Sequence, residues 1–348
     1  MAGVPANRNT LLAALCLTIA TSAQSLLTTA SKNSKGSYDY NVATVPFLSE
    51  LIKLCVSSFL LYRAHKADPR GTQITTDWRN VLLFPVPSLV YLLHHSITFP
   101  LLRYVDPATY QILGNLKIVT TGLASVFVLG KRLPQIKWIS LVLLTIGTTT
   151  SQLSSSSGSI FSAPAQGYLL GVANACLSAF AGVYTEYLMK KNDDSLHWQN
   201  VQLYSFGVLF NAIRLTVDDL SAGFEKGFWA ITLTDGYDVV TVFVVLNLAF
   251  SGLLVSVIMK FADTIAKVFA TSLAMMVTPF AAYFLFNIVP SFPLMLGIVI
   301  ACISVHLYYA SQKDLFELSE VPKAGLTKIP SLKEVPIPAS DTEKTEKV

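Results

Sequence analysis

Ten stretches of roughly twenty residues, nearly free of charge, fill this chain from residue 10 to residue 311 and leave it few ways to fold. In hydrocarbon every backbone N–H and C=O must be satisfied within the protein, so such a run crosses a bilayer only as a helix. The expected spans are 10–30, 41–62, 80–102, 106–129, 134–152, 166–189, 199–217, 238–259, 264–286 and 290–311. Turn-forming segments separate them, among them Pro69–Gly71, Lys131–Pro134, Ser154–Gly158 and Gly223–Gly227. Only 13% of the residues are charged, against roughly 25% in soluble proteins. The chain therefore reads as an all-α membrane protein with ten transmembrane helices. Span three holds Pro85, Pro87 and Pro100, and each removes a helix hydrogen bond, so a kink is expected there. The first apolar run continues past the length of a signal sequence and is read as a retained helix. The tail, 312–348, mixes Lys, Glu, Pro, Ser and Thr and is expected to be disordered.

Lys117 and Lys267 stand inside two of these spans with no obvious carboxylate on their own helix. An ammonium in hydrocarbon costs roughly 2.5–3.5 kcal/mol on insertion scales unless an anion or water meets it. Both residues are functional candidates on that ground, and lysine suits phosphate as a compact point charge. Snorkelling towards headgroups, or pairing with Glu50 on another helix, is the structural alternative. The remaining basic residues set the orientation. With both ends cytosolic, cytosolic segments (including residues 1–9 and the tail) collect 17 Lys and Arg, against five in the opposite loops.

An internal echo relates Tyr104–Val105–Asp106–Pro107–Ala108–Thr109–Tyr110 to Phe261–Ala262–Asp263–Thr264–Ile265–Ala266–Lys267. The two segments lie five spans apart, an odd number, so the copies would insert with opposite topology. The expected division is two inverted five-helix repeats, 10–152 and 166–311. Such repeats place a substrate site near the bilayer midplane at their interface.

Other polar residues within the spans have both structural and functional readings. Glu50 and Lys53, three apart on one helix face, suit a salt bridge or a gating and coupling element. His94–His95–Ser96 suits a cavity lining or helix-to-helix hydrogen bonds, since further metal ligands are not apparent nearby. Asn200 and Tyr204 share a helix face. Gly167 and Gly171 form a small-residue packing signal. Cys16, Cys55, Cys176 and Cys302 fall within spans and read as small packing residues, with spacings that match no metal site. P-loop, GxSxG, HExxH and DDxxD motifs are absent from the sequence, and Asp193–Asp194 and Asp218–Asp219 read as loop charge. No basic run interleaves with aromatics, so nucleic acid is not an expected partner, and no cofactor or metal is implied.

Several segments resemble the nucleotide-sugar transporter family, in the group that contains CMP-sialic acid and UDP-galactose carriers. They are Ser49–Glu50–Leu51–Ile52–Lys53–Leu54, Pro87–Ser88–Leu89–Val90–Tyr91, Tyr110–Gln111 through Leu116–Lys117, Ala181–Gly182–Val183–Tyr184, Asn247–Leu248–Ala249–Phe250 and Phe261–Ala262–Asp263 through Lys267. The likeness runs in order over residues 10–311 and is strongest to the plant CMP-sialic acid carriers. It implies the ten-helix fold of the drug/metabolite transporter superfamily in the Golgi membrane. It also implies exchange of a cytosolic nucleotide sugar for lumenal nucleoside monophosphate, with CMP and a CMP-sugar as substrates and membrane lipid around the helices. By the resemblance, Lys117 and Lys267 contact the phosphate, and Tyr110, Asn200 and Tyr204 line the nucleotide site. His95 falls where relatives have an asparagine near the base, in a Gln–Asn–Asn run that here reads His94–His95–Ser96. Ser251 replaces one glycine of a Gly–Gly pair, leaving Gly252. Both departures leave the base and sugar open. The sugar is sialic acid, another CMP-linked acid sugar such as a 2-keto-3-deoxy sugar, or a UDP-linked one. The rival readings are a carrier of another phosphorylated metabolite, a membrane-embedded transferase and a scaffold. The last leaves the two lysines unexplained.

Overall fold

The computed structural model describes residues 8–105, 107–153, 164–191, 193–225, 227–286 and 291–310, and these form helices and turns without strands. In chain order the helices are α1 (Arg8–Ala30), α2 (Thr44–Ala67), α3 (Trp78–Val81), α4 (Pro85–Tyr104), α5 (Pro107–Leu129), α6 (Gln135–Gln152), α7 (Ala165–Lys191), α8 (Leu196–Ser221), α9 (Val239–Phe261), α10 (Thr264–Phe286) and α11 (Phe292–Tyr309). All but α3 have at least 18 residues, about 27 Å at a rise of about 1.5 Å per residue.

Eight spans are both long and apolar enough to cross a membrane, one of them running through α3 and α4 together; α6 and α8 are not among them. Their polarity has a structural explanation. On α6, the hydroxyls of Ser140, Thr145 and Thr148 donate to carbonyls one turn back at 2.8–2.9 Å, which hides them within the helix. On α8, Gln199, Asn200 and Gln202 are buried among the other helices.

The expected kink in span three is a break. α3 ends at Val81, and α4 begins on Pro85, at the helix start where a missing N–H costs least. Pro100 stays inside α4. α2 runs five residues beyond the apolar stretch, ending on His65 and Lys66, whose positions near the carboxyl end favour the helix dipole.

The packing pairs recur in the two halves. α1 packs on α9 and α10, while α7 packs on α4 and α5; α2 meets α9 as α8 meets α4. α2 faces α8 and α5 faces α10. α6 and α11 cross where a Cβ on Gly147 would lie 2.9 Å from the Gly297 carbonyl, and one on Gly297 2.5 Å from the Gly147 carbonyl. Gly167 and Gly171 act as the sequence suggests: added Cβ atoms would meet Val105 at 2.8 Å and Leu113 at 2.5 Å. One apolar core joins Ile118, Leu141, Leu144, Ile265, Phe269 and Tyr308. Large side chains such as Phe127 and Phe284 point outward, 83% and 80% exposed, as a lipid-facing surface requires. The cysteines correct the sequence reading in part: Cys55, Cys176 and Cys302 are exposed, not packed. A thiol is apolar enough to face lipid without cost.

Candidate functional site

α5 carries Tyr110, Gln111, Asn115 and Lys117 along two turns that face α4, α6 and α7. Together with His94, Gln152 and Asn174 from those helices they wall a cavity of about 200 Å³. The Lys117 charge interacts with that of Lys267, which comes from α10, and both act on the His94 ring. Three cationic or basic side chains from α4, α5 and α10 thus share one electrostatic neighbourhood. Among the described residues neither lysine forms an ion pair. The pairing with Glu50 considered from the sequence does not occur, because Glu50 Oε1 is held by Lys53 Nζ at 2.6 Å. Two like charges within electrostatic reach of each other, without an ion pair among the described residues, suit a multiply charged anion.

The cavity wall is rich in amides. Asn115 Nδ2 donates to Gln152 Oε1 at 3.2 Å, and the His94 ring nitrogen lies 3.2 Å from the Asn174 carbonyl. Asn174 is 5% exposed; the His94 ring lies beside its side chain but directs Nδ1 at the backbone carbonyl, which leaves Oδ1 without a well-formed hydrogen bond. Buried polar atoms are nearly always satisfied, so such an atom invites a ligand.

A second polar group forms between α2, α8 and α9. Lys53, 7% exposed, bonds Glu50 and lies over the Tyr204 ring, 4.4 Å from its centre. The Tyr204 hydroxyl donates to the Gly252 carbonyl at 3.2 Å. A Cβ on Gly252 would stand 2.7 Å from Lys53 Cδ, and one on Gly207 would stand 2.6 Å from Glu50 Oε2. These two glycines therefore make room for the ion pair. The replaced glycine is the neighbouring position: Ser251 sits beside Gly252 with its Oγ unpartnered, as are Asn200 Oδ1 and Gln202 Oε1. Asn200 Nδ2 donates to Ser256 Oγ at 3.0 Å.

The expected site residues thus fall into two groups, Lys117, Lys267 and Tyr110 in one and Asn200, Tyr204, Ser251, Glu50 and Lys53 in the other. The side chain of His95 lies outside the described residues; that of its neighbour His94 lines the cavity. Asn174, Asn115, Gln111 and Gln152 were not singled out from the sequence. Their signal was present as amides inside apolar spans, but nothing in one dimension groups them.

A third cluster ties the opposite end of α5 to α7 and α10. The Glu186 carboxylate, fully buried, accepts from Lys131 Nζ at 2.7 Å, Lys190 Nζ at 2.8 Å and both the N–H and hydroxyl of Thr264 at 2.8 Å. The Lys190 ammonium also reaches the Ala262 carbonyl, and Lys131 lies 3.5 Å from Asp263. One carboxylate at the start of α10 thereby fastens four segments, aided by the positive end of the helix dipole.

The sequence pattern of the family described as Nucleotide-sugar transporter matches residues 7–309. The chain is similar to CMP-sialic acid transporter 1 of Arabidopsis thaliana, 52% identical over 88% of this chain and 91% of that protein. It is 51% identical to CMP-sialic acid transporter 1 of Oryza sativa subsp. japonica over 89% of this chain and 97% of the other. The UDP-N-acetylglucosamine transporter of Mus musculus is 33% identical over 77% of this chain and 85% of that one. A solved crystal structure of a protein 15% identical in sequence shares the fold with TM-score 0.61, covering 86% of this chain and 97% of that one. This multi-pass membrane protein belongs to the nucleotide-sugar transporter family, whose members are carriers and not enzymes.

Proposed function

We propose that this transporter is a Golgi antiporter that exchanges a cytosolic CMP-linked sugar for lumenal CMP by alternating access. The observation that carries the reading is that Lys117, on the amide-lined cavity, lies within electrostatic reach of Lys267, with no ion pair to either among the described residues. Both ligands carry the CMP moiety, and its phosphate is the anionic group that would offset the charge of the two lysines. Asn200 and Tyr204, with the unpartnered atoms around them, are assigned to the nucleoside, following the family resemblance. CMP is preferred over UMP because the two plant relatives at 51–52% identity carry CMP-sialic acid in their names, while the UDP-N-acetylglucosamine transporter stands at 33%.

Alternating access rests on two inverted repeats, α1–α6 and α7–α11, with both termini cytosolic. Exchange of α1 with α7, α2 with α8, α4 with α9 and α5 with α10 maps the packing of α1 on α9 and α10 onto that of α7 on α4 and α5, and that of α2 on α9 onto that of α8 on α4. It also relates the helices that carry Lys117 and Lys267, so each repeat contributes one charge. Family membership supports the Golgi location.

Exchange follows from the same charges. Reorientation with the site empty exposes the two cations to each other and to an apolar interior, at a cost of about 3 kcal/mol for one unpaired ammonium. That slows the empty return about a hundredfold. The test is uptake of labelled CMP into liposomes holding the purified protein, with and without internal CMP, followed by competition with CMP, UMP, GMP and AMP. Internal CMP is expected to accelerate uptake at least tenfold, and CMP to compete best. Equal uptake into empty liposomes defeats obligate exchange, and competition by GMP alone defeats the pyrimidine assignment.

A further inference from the structure

The reading above places a phosphate at Lys117 and a nucleoside along α8 and α9, and leaves the other substituent of the phosphate without a site. Two features of the cavity bear on it. The first is position. The cavity is walled by α4, α5, α6 and α7, a different set of helices from α2, α8 and α9, which surround Asn200 and Tyr204. Lys117 belongs to the cavity wall. A ligand whose phosphate meets Lys117 and whose nucleoside lies along α8 therefore directs its remaining substituent into this space.

The second is hydrogen-bond polarity. The group left without a well-formed hydrogen bond is Asn174 Oδ1, an acceptor on a side chain 5% exposed; the neighbouring His94 ring is directed at the Asn174 backbone carbonyl instead. A monophosphate offers only acceptor oxygens at its phosphate end, since the dianion predominates at neutral pH, with a second pKa near about 6. It cannot satisfy Asn174. A sugar offers hydroxyl or amide N–H donors. Gln111, Asn115, Gln152 and Ser178 supply further groups that both donate and accept on the same wall, which is what a polyhydroxylated ring requires. The volume, about 200 Å³, is below the roughly 300 Å³ lower bound for drug-sized ligands and suits one sugar ring better than a whole nucleotide sugar.

We propose that this cavity is the glycosyl subsite and that Asn174 determines specificity within it, accepting a hydrogen bond from a hydroxyl or amide N–H of the sugar. The inference rests on the transporter reading, in which Lys117 holds the phosphate. Asn174 then separates the two ligands of the exchange: it favours the conjugate and is indifferent to the spent monophosphate.

The experiment measures binding to the purified full-length protein, by thermal shift and by inhibition of exchange, for CMP against CMP-sialic acid and for UMP against UDP-galactose. Wild type identifies the preferred pair, and Asn174→Ala and Asn174→Leu are then compared on it. In both variants the affinity for the conjugate is expected to fall at least tenfold more than that for the monophosphate. A parallel loss of both ligands, or no change in either, overturns the proposal. Should Asn174→Ala fail to fold, Gln111→Ala on the same wall must show the same bias towards loss of the conjugate, and an equal loss is again contrary. A wild type that prefers the uridine pair sinks the CMP assignment alone and leaves the subsite to be judged on that pair. A wild type that binds none of the four sinks both.

Discussion

Lys53 holds its ammonium 4.4 Å from the centre of the Tyr204 ring, joining α2 of the first half to α8 of the second. The same ammonium bonds Glu50 at 2.6 Å, and only a glycine at 252 leaves room for its stem. Charge, ring and glycine form one unit, and cation–π contacts of this kind are worth about 0.5–2 kcal/mol.

Gly252→Ala is therefore expected to displace the flexible Lys53 side chain without unfolding the bundle, and to weaken nucleotide affinity about tenfold. Ser251→Gly adds no atom and should leave the melting temperature within experimental error. Thermal unfolding and CMP inhibition measured on both variants check the contrast. Equal effects of the two would contradict it.

Glu186 holds Lys131, Lys190 and the N–H and hydroxyl of Thr264 at the start of α10 from a fully buried position. Losing a buried carboxylate with these partners costs about 3 kcal/mol or more. Lys190, whose side chain is 36% exposed against 26% for Lys131, is the cation that solvent replaces more readily, so its loss costs less. The order of destabilisation expected in a thermal melt is Glu186→Ala above Lys131→Ala above Lys190→Ala. A Glu186→Ala protein as stable as wild type would show that the cluster is dispensable.

At the crossing of α6 and α11, Gly147→Ala drives a methyl to within 2.9 Å of the Gly297 carbonyl, against backbone that cannot step aside. Overpacking of this kind costs about 1–3 kcal/mol. Gly114 lies on the cavity, and a Cβ there meets nothing within 4 Å. Gly114→Ala is expected to keep or raise stability while reducing the space beside Lys117. The two melting temperatures, measured side by side, test whether the close approach of α6 and α11 holds in the membrane protein.

These contrasts mark where the sequence could be read and where it could not. The helices follow from apolar length, and their ends mostly fall within a few residues of the expected spans. Lys117 and Lys267 could be paired from sequence because charge in an apolar run is costly and because an echo linked their helices. Tyr110, about two turns before Lys117 on α5, was assigned by the family resemblance and lines the same cavity. The amide wall was hidden for a physical reason: Asn174 and Gln152 meet the cavity only through packing of α7 and α6 on α5, and no local pattern encodes that meeting. Neighbouring helix residues point about 100° apart, so the place of His94 on the cavity needed the phase of α4. Glu186 carries no local signal of its role because its partners Lys131 and Thr264 are remote in sequence. The exposed cysteines follow from the same limit, since an apolar residue in a span suits lipid as well as core.

The central claim is that Lys117 and Lys267 together hold the phosphate of the transported nucleotide. Its most direct measurement is the ratio of CMP to cytidine affinity, by inhibition of exchange, in wild type, Lys117→Ala, Lys267→Ala and the double variant. The account expects a large preference for CMP in wild type, reduced at least tenfold by either single substitution and nearly abolished in the double, with cytidine affinity little changed. Variants that keep the wild-type ratio, or that lose CMP and cytidine in equal measure, would contradict it.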